Sequence, residues 1–333
     1  MSMSQGSGRT GREGMQNGRT FFCGSRDALR EALSPRASFV LAYERIALLA
    51  HASSEQCVVV AAIDVSGQVV AARRVFHRQA VIVGRHEQCG VRLPALSIAL
   101  RQVAALVQLD GGACRIHVRD LATRQPFRTE DGKPSAGVTA DGPLYVAVGE
   151  HALWFVPGSA ISPGERSAEA AWNALAPRRF TDRLPPIDAP THPRVRALVG
   201  RDVSEQTRVT HVAPPLLLDS GDAPEVAWGV LRLEAGARKE KRWVSAERLE
   251  QGILLGRYSR CSVLLDASEA TTSRVHALLM RLGADVWVID LASTNGIHRA
   301  GAPLTADILR DNDRISLGTQ VVIGWQRTLH AQA

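Results

Sequence analysis

The chain repeats itself, and that repeat limits what it can fold into more than any other feature. The segment AVIVGRHEQCGVRL (80–93) resembles GILLGRYSRCSVLL (252–265). In both, a short apolar run ends in Gly-Arg and a Cys stands four residues after the Arg. The likeness runs on without a gap from ALRQVAALV to TSRVHALLM, pairing Ser273 with Arg101, Arg274 with Gln102 and His276 with Ala104. Further along, RIHVRDLATRQPF (115–127) matches DVWVIDLASTNGI (285–297), and GPLYVAVGEHALWFV (142–156) matches NDRISLGTQVVIGW (312–325). Pairings that keep the same order along the chain mean two copies of one domain.

Each copy is written in short apolar or β-branched runs punctuated by Gly, Asp, Asn and Pro. The stretch CVVVAAIDVSGQVVAARRVF reads as a hairpin about Ser66-Gly67, and VAWGVLRLEAGARKEKRWVSAERL as another about Ala235-Gly236. Strands at this spacing in a block of about 100 residues predict an all-β sandwich. The expected fold is therefore all-β: two β-sandwiches over 57–157 and 223–328, joined by a Pro-rich linker over 158–222. The linker is expected to be extended where prolines cluster, with one short helical stretch at AEAAWNAL. Ahead of the first copy, residues 25–54 form a helical segment in which Phe39, Val40, Tyr43, Ile46, Ala47 and Ala50 share one face, suited to packing on the neighbouring domain. Residues 1–24, rich in Gly, Ser and Arg, are expected to be a disordered tail.

Composition narrows the function classes. The net charge of +7 is spread along the whole chain, so no basic stripe for a phosphodiester backbone emerges and nucleic-acid binding is not expected. No apolar window approaches a membrane span and no secretory leader is visible, which predicts a cytoplasmic protein without membrane attachment. The five cysteines form no CxxC and no zinc-ligand spacing, so neither a disulfide framework nor a metal site is suggested. Cys89 and Cys261 hold equivalent positions and read as small core hydrophobes. No phosphate-binding loop, zinc-protease motif, nucleophile elbow or kinase signature is present, so neither catalysis nor a cofactor is expected.

In the second copy Arg257 ends a strand, Ser273-Arg274 lies sixteen residues on, and Ser293-Thr294-Asn295-Gly296 follows the strand VWVID. Loops from successive strands gather at one end of a sandwich, so these segments can converge. The triple pattern GRYSR, SRVH and STNG resembles the signature of the forkhead-associated (FHA) domain: well over 224–328, more faintly over 57–157. That resemblance implies two FHA-like eleven-stranded sandwiches, with phosphothreonine peptides bound by the loops of the later one. It implies that Arg257, Ser273, Arg274, Thr294 and Asn295 contact the peptide, and that Gly256, His276 and Gly296 stabilise the loops. The residue types suit the task. Guanidinium forks grip a phosphate in a bidentate way, a hydroxyl adds a donor, and a carboxamide can pair with an extended backbone.

The first copy keeps Arg85, but Gln125 and Pro126 stand where the second has Asn295 and Gly296, so it reads as a degenerate sandwich kept for packing or protein contact. A separate anion site built from Arg85, Arg101 and Arg124 is its alternative reading. The expected partner is a phosphothreonine-bearing protein together with the Ser/Thr kinase that modifies it, the chain acting as a non-catalytic adaptor. Thr181, in RRFTDRL, offers a self-recognition alternative, and a phospho-independent scaffold using both sandwiches is the competing class.

Overall fold

The computed structural model describes residues 33–328 apart from 53–54, 124, 163, 165–166, 179, 185–226, 259–260 and 266–270. The expected tail and the proline cluster from Pro185 onward lie outside the described residues.

Helix α1 spans Pro35–Ala50. Ser34 caps it by accepting a hydrogen bond from the Ala37 backbone N–H, and Pro35 presets the first turn. The first sandwich follows as β1 (Cys57–Asp64), β2 (Val69–Phe76), β3 (Ala80–Gly84), β4 (Val91–Arg92), β5 (Val103–Asp110) and β6 (Ala113–Asp120). It closes with β7 (Phe127–Thr129), β8 (Pro134–Ser135), β9 (Gly137–Asp141), β10 (Leu144–Val148) and β11 (His151–Pro157). One sheet has the order β2-β1-β11-β10-β7-β8, and β9-β6-β5-β3-β4 run in that order in the other.

The second sandwich opens with β13 (Ala227–Ala235), β14 (Arg238–Ser245), helix α3 (Ala246–Gln251), β15 (Ile253–Gly256) and β16 (Val263–Leu264). It continues through β17 (Ala277–Leu282), β18 (Asp285–Asp290), β19 (Ile297–Arg299), β20 (Ala302–Leu304), β21 (Ala306–Leu309), β22 (Arg314–Leu317) and β23 (Val321–Arg327). Its sheets, β14-β13-β23-β22-β19-β20 and β16-β15-β17-β18-β21, reproduce those of the first copy strand for strand. Both hairpin turns fall where the glycines place them, with Gly67 at φ +78° and Gly236 at φ +58°.

Two differences from the sequence reading concern the first copy's surroundings. In β1 alternate residues Val58, Val60 and Ala62 enter the sandwich while Val59, Ala61 and Ile63 face α1, so the strand is buried on both sides. Within α1, Phe39, Ala42, Tyr43, Ile46 and Ala50 are buried, whereas Val40 and Ala47 are only half-buried. The other difference lies in the linker: the expected helical stretch AEAAWNAL is present, but a strand that joins the first sandwich follows it. Residues 168–184 carry helix α2 (Ala168–Ala174) and strand β12 (Phe180–Leu184), and β12 adds to β9 as an edge strand. Trp172 packs in the cluster beneath α1, and the Arg178 guanidinium lies 4.2 Å from its ring while pairing with Glu130. Aromatic stacking and an added strand hold this piece where proline content alone suggested a tether.

The two sandwiches pack against each other through the outer faces of β3-β5-β6 and β15-β17-β18. The buried cluster between them holds Ile82 with Leu254, Ala104 with Leu278, Leu106 with Met280, Leu121 with Leu291, and Cys89 with Cys261. The first three pairs occupy equivalent ladder positions in the two copies, and the other two make equivalent backbone hydrogen bonds in the loops. The contact is thus quasi-symmetric, as an isologous dimer interface would be if its halves were fused into one chain. Cys89 and Cys261 are buried, yet between the copies rather than inside either one. Burial raises their thiols to about 11 and about 12, so both stay un-ionised. Among the described residues no helix is long and apolar enough to cross a membrane.

Candidate phosphate-binding site

The ladder registers correct the alignment on which the site was first read. Val83 pairs with Val103 in the first copy and Leu255 with Ala277 in the second. The backbone N–H of Gln102 donates to Val83 O and that of His276 to Leu255 O. His276 is therefore matched by Gln102, not Ala104; Arg274 is matched by Leu100 and Ser273 by Ala99. The second copy has two extra residues before this point. Arg101 corresponds to Val275, so it is not a substituted phosphate ligand.

Three loops meet at one end of the second sandwich. As β15 ends, the backbone N–H groups of Arg257 and Tyr258 donate to Ser273 O and Arg274 O. This crossing is so close that a Cβ on Gly256 would stand 2.1 Å from Arg274 O. Only glycine fits there. Gly256→Ala should cost about 3 kcal/mol of stability, read as a lowered melting midpoint of the full chain.

His276 ties the loops together. It is fully buried, and its Nδ1 accepts from the Ser273 N–H at 3.0 Å. That leaves the proton on Nε2, which donates to Gly296 O at 3.0 Å. Burial pushes its pKa down to about 4, so the ring is neutral at physiological pH, as this tautomer requires. Gly296, at φ +69°, turns the chain so that its carbonyl meets the ring. The following loop is held by Asp290, whose carboxylate accepts from both the N–H and the hydroxyl of Ser293. Burial raises the Asp290 carboxyl, an effect these two donors oppose.

The groups expected to face a ligand stand on this frame. Ser273 Oγ accepts from the Thr294 N–H at 2.9 Å, locking the Ser-Arg loop to the Thr-Asn loop. Arg257 Nε donates to Thr272 O, which fixes the guanidinium at the rim. Arg257, Tyr258, Ser273, Arg274, Val275 and Thr294 line one cleft. Asn295 is exposed beside it, and its Nδ2 donates to Thr271 O at 2.7 Å. Of the five residues expected to contact peptide, Arg257, Ser273, Arg274 and Thr294 converge on this cleft, while Asn295 flanks it. The expected loop-stabilising residues Gly256, His276 and Gly296 all sit in the supporting frame.

The other wall of the cleft comes from the first copy: His86, Leu100 and Arg101. The Arg101 side chain is buried and crosses to the second copy, donating from Nε to Leu291 O and from Nη2 to Ala292 O. Arg101 is thus not part of a separate anion site with Arg85. Arg124, the third member of that grouping, lies outside the described residues. Sequence reasoning missed this contribution because it treated each copy as complete in itself.

The first copy keeps the same frame with different atoms. Gln102 Oε1 accepts from the Ala99 N–H at 2.9 Å, and Gln102 Nε2 donates to Gln125 O at 2.8 Å. A carboxamide thus bridges the same two loops that the imidazole of His276 bridges, its second bond going to the carbonyl one position earlier. Asp120 holds Thr123 as Asp290 holds Ser293, and burial lifts the Asp120 carboxyl to about 7. Ala99 and Leu100, however, supply neither a hydroxyl nor a cation where Ser273 and Arg274 stand.

Hydroxyls and guanidinium groups thus gather on loops at one end of a two-sheet sandwich. Residues 253–318 match the family model of the FHA domain, so the second sandwich carries an FHA domain. No curated protein matches the chain. Similar solved structures include the Slr1951 protein from Synechocystis sp., at 21% identity over 30% of this chain and 98% of that one, TM-score 0.27. Another is Mycobacterium tuberculosis EmbR in complex with a low-affinity phosphopeptide, at 26% identity over 30% of this chain and 24% of that one, TM-score 0.25. The FHA domain of the CT664 protein from Chlamydia trachomatis is similar at 22% identity over 31% of this chain and 99% of that one, TM-score 0.27.

Proposed function

We propose that the chain is a non-catalytic adaptor whose second sandwich binds phosphothreonine peptides of a partner modified by a Ser/Thr kinase. The observation that carries this reading is the convergence of Arg257, Ser273, Arg274 and Thr294 on one cleft within a segment matching the FHA family model. A phosphothreonine brings about −1.5 to −2 charges and three acceptor oxygens, which suit two guanidinium groups and a hydroxyl. Asn295 Oδ1 remains available to receive a backbone N–H of the extended peptide, while its amide nitrogen stays tied to Thr271. The first sandwich, with Ala99 and Leu100 at the ligand positions, acts as a degenerate copy that does not grip phosphate on its own.

Isothermal titration of the full chain with a degenerate peptide pool carrying a central phosphothreonine, and with the same pool carrying threonine, tests the reading. Binding of the phosphorylated pool alone, with affinity about micromolar, is the expected result. Equal binding of both pools would instead favour the phospho-independent scaffold. Thr181 is a less suitable ligand than an external peptide. It sits on edge strand β12 with its Oγ1 donating to Thr139 O at 3.2 Å, so self-recognition would require that strand to peel away.

A further inference from the structure

Arg101 is a buried charge in an unusual place. Its side chain belongs to the first sandwich, is only 9% exposed, and forms part of the wall of the second sandwich's cleft. Two of its nitrogens donate to the carbonyls of Leu291 and Ala292, immediately before the Ser293–Gly296 loop. Among the described residues no carboxylate forms an ion pair with it, and its Nη1 has no hydrogen-bond partner there. Asp290 lies near enough to attract Arg101, but its carboxylate oxygens are hydrogen-bonded to Ser293. A buried cation held by two carbonyl dipoles and only partly offset by one nearby carboxylate is costly to keep. An anion in the cleft would complete it.

We propose that the phosphopeptide site is composite, with Arg101 of the first sandwich acting as a third cationic ligand beside Arg257 and Arg274. The proposal rests on the phosphothreonine reading of the second sandwich. It explains why a copy without its own phosphate ligands is retained: it closes the cleft and adds a guanidinium to it. Three guanidinium groups around one low-dielectric cleft also focus potential on an incoming dianion. Position 101 is the register counterpart of Val275, so the quasi-symmetric contact sets an arginine of one copy against a valine of the other across the same cleft.

The test uses the full chain and the same two peptide pools. Arg101→Gln removes the charge but keeps hydrogen-bonding capacity toward the carbonyls. It should weaken binding of the phosphorylated pool about tenfold or more, the loss expected for one charge-assisted contact, and reduce the salt dependence of binding. Arg101→Lys keeps the charge but loses the two-carbonyl clamp, and should recover much of that loss. Leu100→Glu adds a carboxylate on the first sandwich's side of the cleft without touching Arg101. It too should weaken the phosphorylated pool by at least about tenfold, through charge repulsion. Circular dichroism and melting curves identify variants that do not fold. If wild type binds both pools equally, the phosphothreonine reading fails and the composite site falls with it. If wild type discriminates but Arg101→Gln or Leu100→Glu binds like wild type, only the composite site is overturned. Equal losses in Arg101→Gln and Arg101→Lys would reduce Arg101 to a positioning clamp and also overturn it.

Discussion

Arg257→Ala should lower affinity for a phosphothreonine peptide by about 100-fold while barely changing the melting temperature. The two halves of that expectation come from different atoms. Within the fold, Arg257 contributes one Nε donation to Thr272 O, a contact whose loss costs about 1 kcal/mol. Toward the ligand, its terminal nitrogens would make charge-assisted bonds worth about 1.5–3 kcal/mol each. Arg257→Lys should recover only part of the affinity, because an ammonium cannot bond the Thr272 carbonyl and a phosphate in the same fork geometry. Titration calorimetry alongside thermal melts measures both quantities. A large drop in melting temperature with unchanged peptide affinity would show that Arg257 is structural.

The second large effect concerns His276. Replacing it with Ala should destabilise the chain by about 3 kcal/mol, since it strands the buried Ser273 N–H and Gly296 carbonyl and opens a void. Replacing it with Gln should cost far less, because Gln102 bridges the corresponding two loops in the first copy. The two variants also separate on acidification. The folded-state pKa of His276, about 4, lies below the ordinary histidine value of 6.5. Its neutral form therefore contributes stability that is fully present above pH 6.5 and is lost as pH falls through about 4. Asp120 and Asp290, raised by burial, shift in the opposite sense over part of that range, so the informative quantity is wild type minus His276→Gln. That difference should shrink as pH drops from 6.5 to 4 in denaturant titrations. A pH-independent difference would mean the ring does not hold the two bonds as a neutral imidazole.

The sequence made the repeat, the sandwich and most of the side chains that line the cleft legible, for physical reasons. Strand periodicity and turn glycines such as Gly67 and Gly236 are local signals, and the spacing of Arg257, Ser273 and Thr294 is fixed by strand lengths. The two-residue slip near Ser273 was not legible. Arg101 beside Gln102 resembles Ser273 beside Arg274 in polarity, and only the ladders show that Gln102 takes the place of His276. The packing between copies was hidden for a different reason. Unbroken apolar runs such as ALLM and VWVI mean that both faces of a strand are covered, but they do not say what covers the second face. The linker's short helix was legible at AEAAWNAL, but its docking and the strand after it were not, because the anchors, Trp172 and Arg178, are single residues whose partners include ones distant in sequence.

The shared buried seam also constrains how the molecule can be divided. Cutting the chain ahead of Ala227 would leave Leu254, Leu278, Met280 and Trp287 as an oily plate facing water. Such a fragment would stick to itself or to its neighbours before it read any peptide. The two halves therefore have to be expressed and purified as one piece.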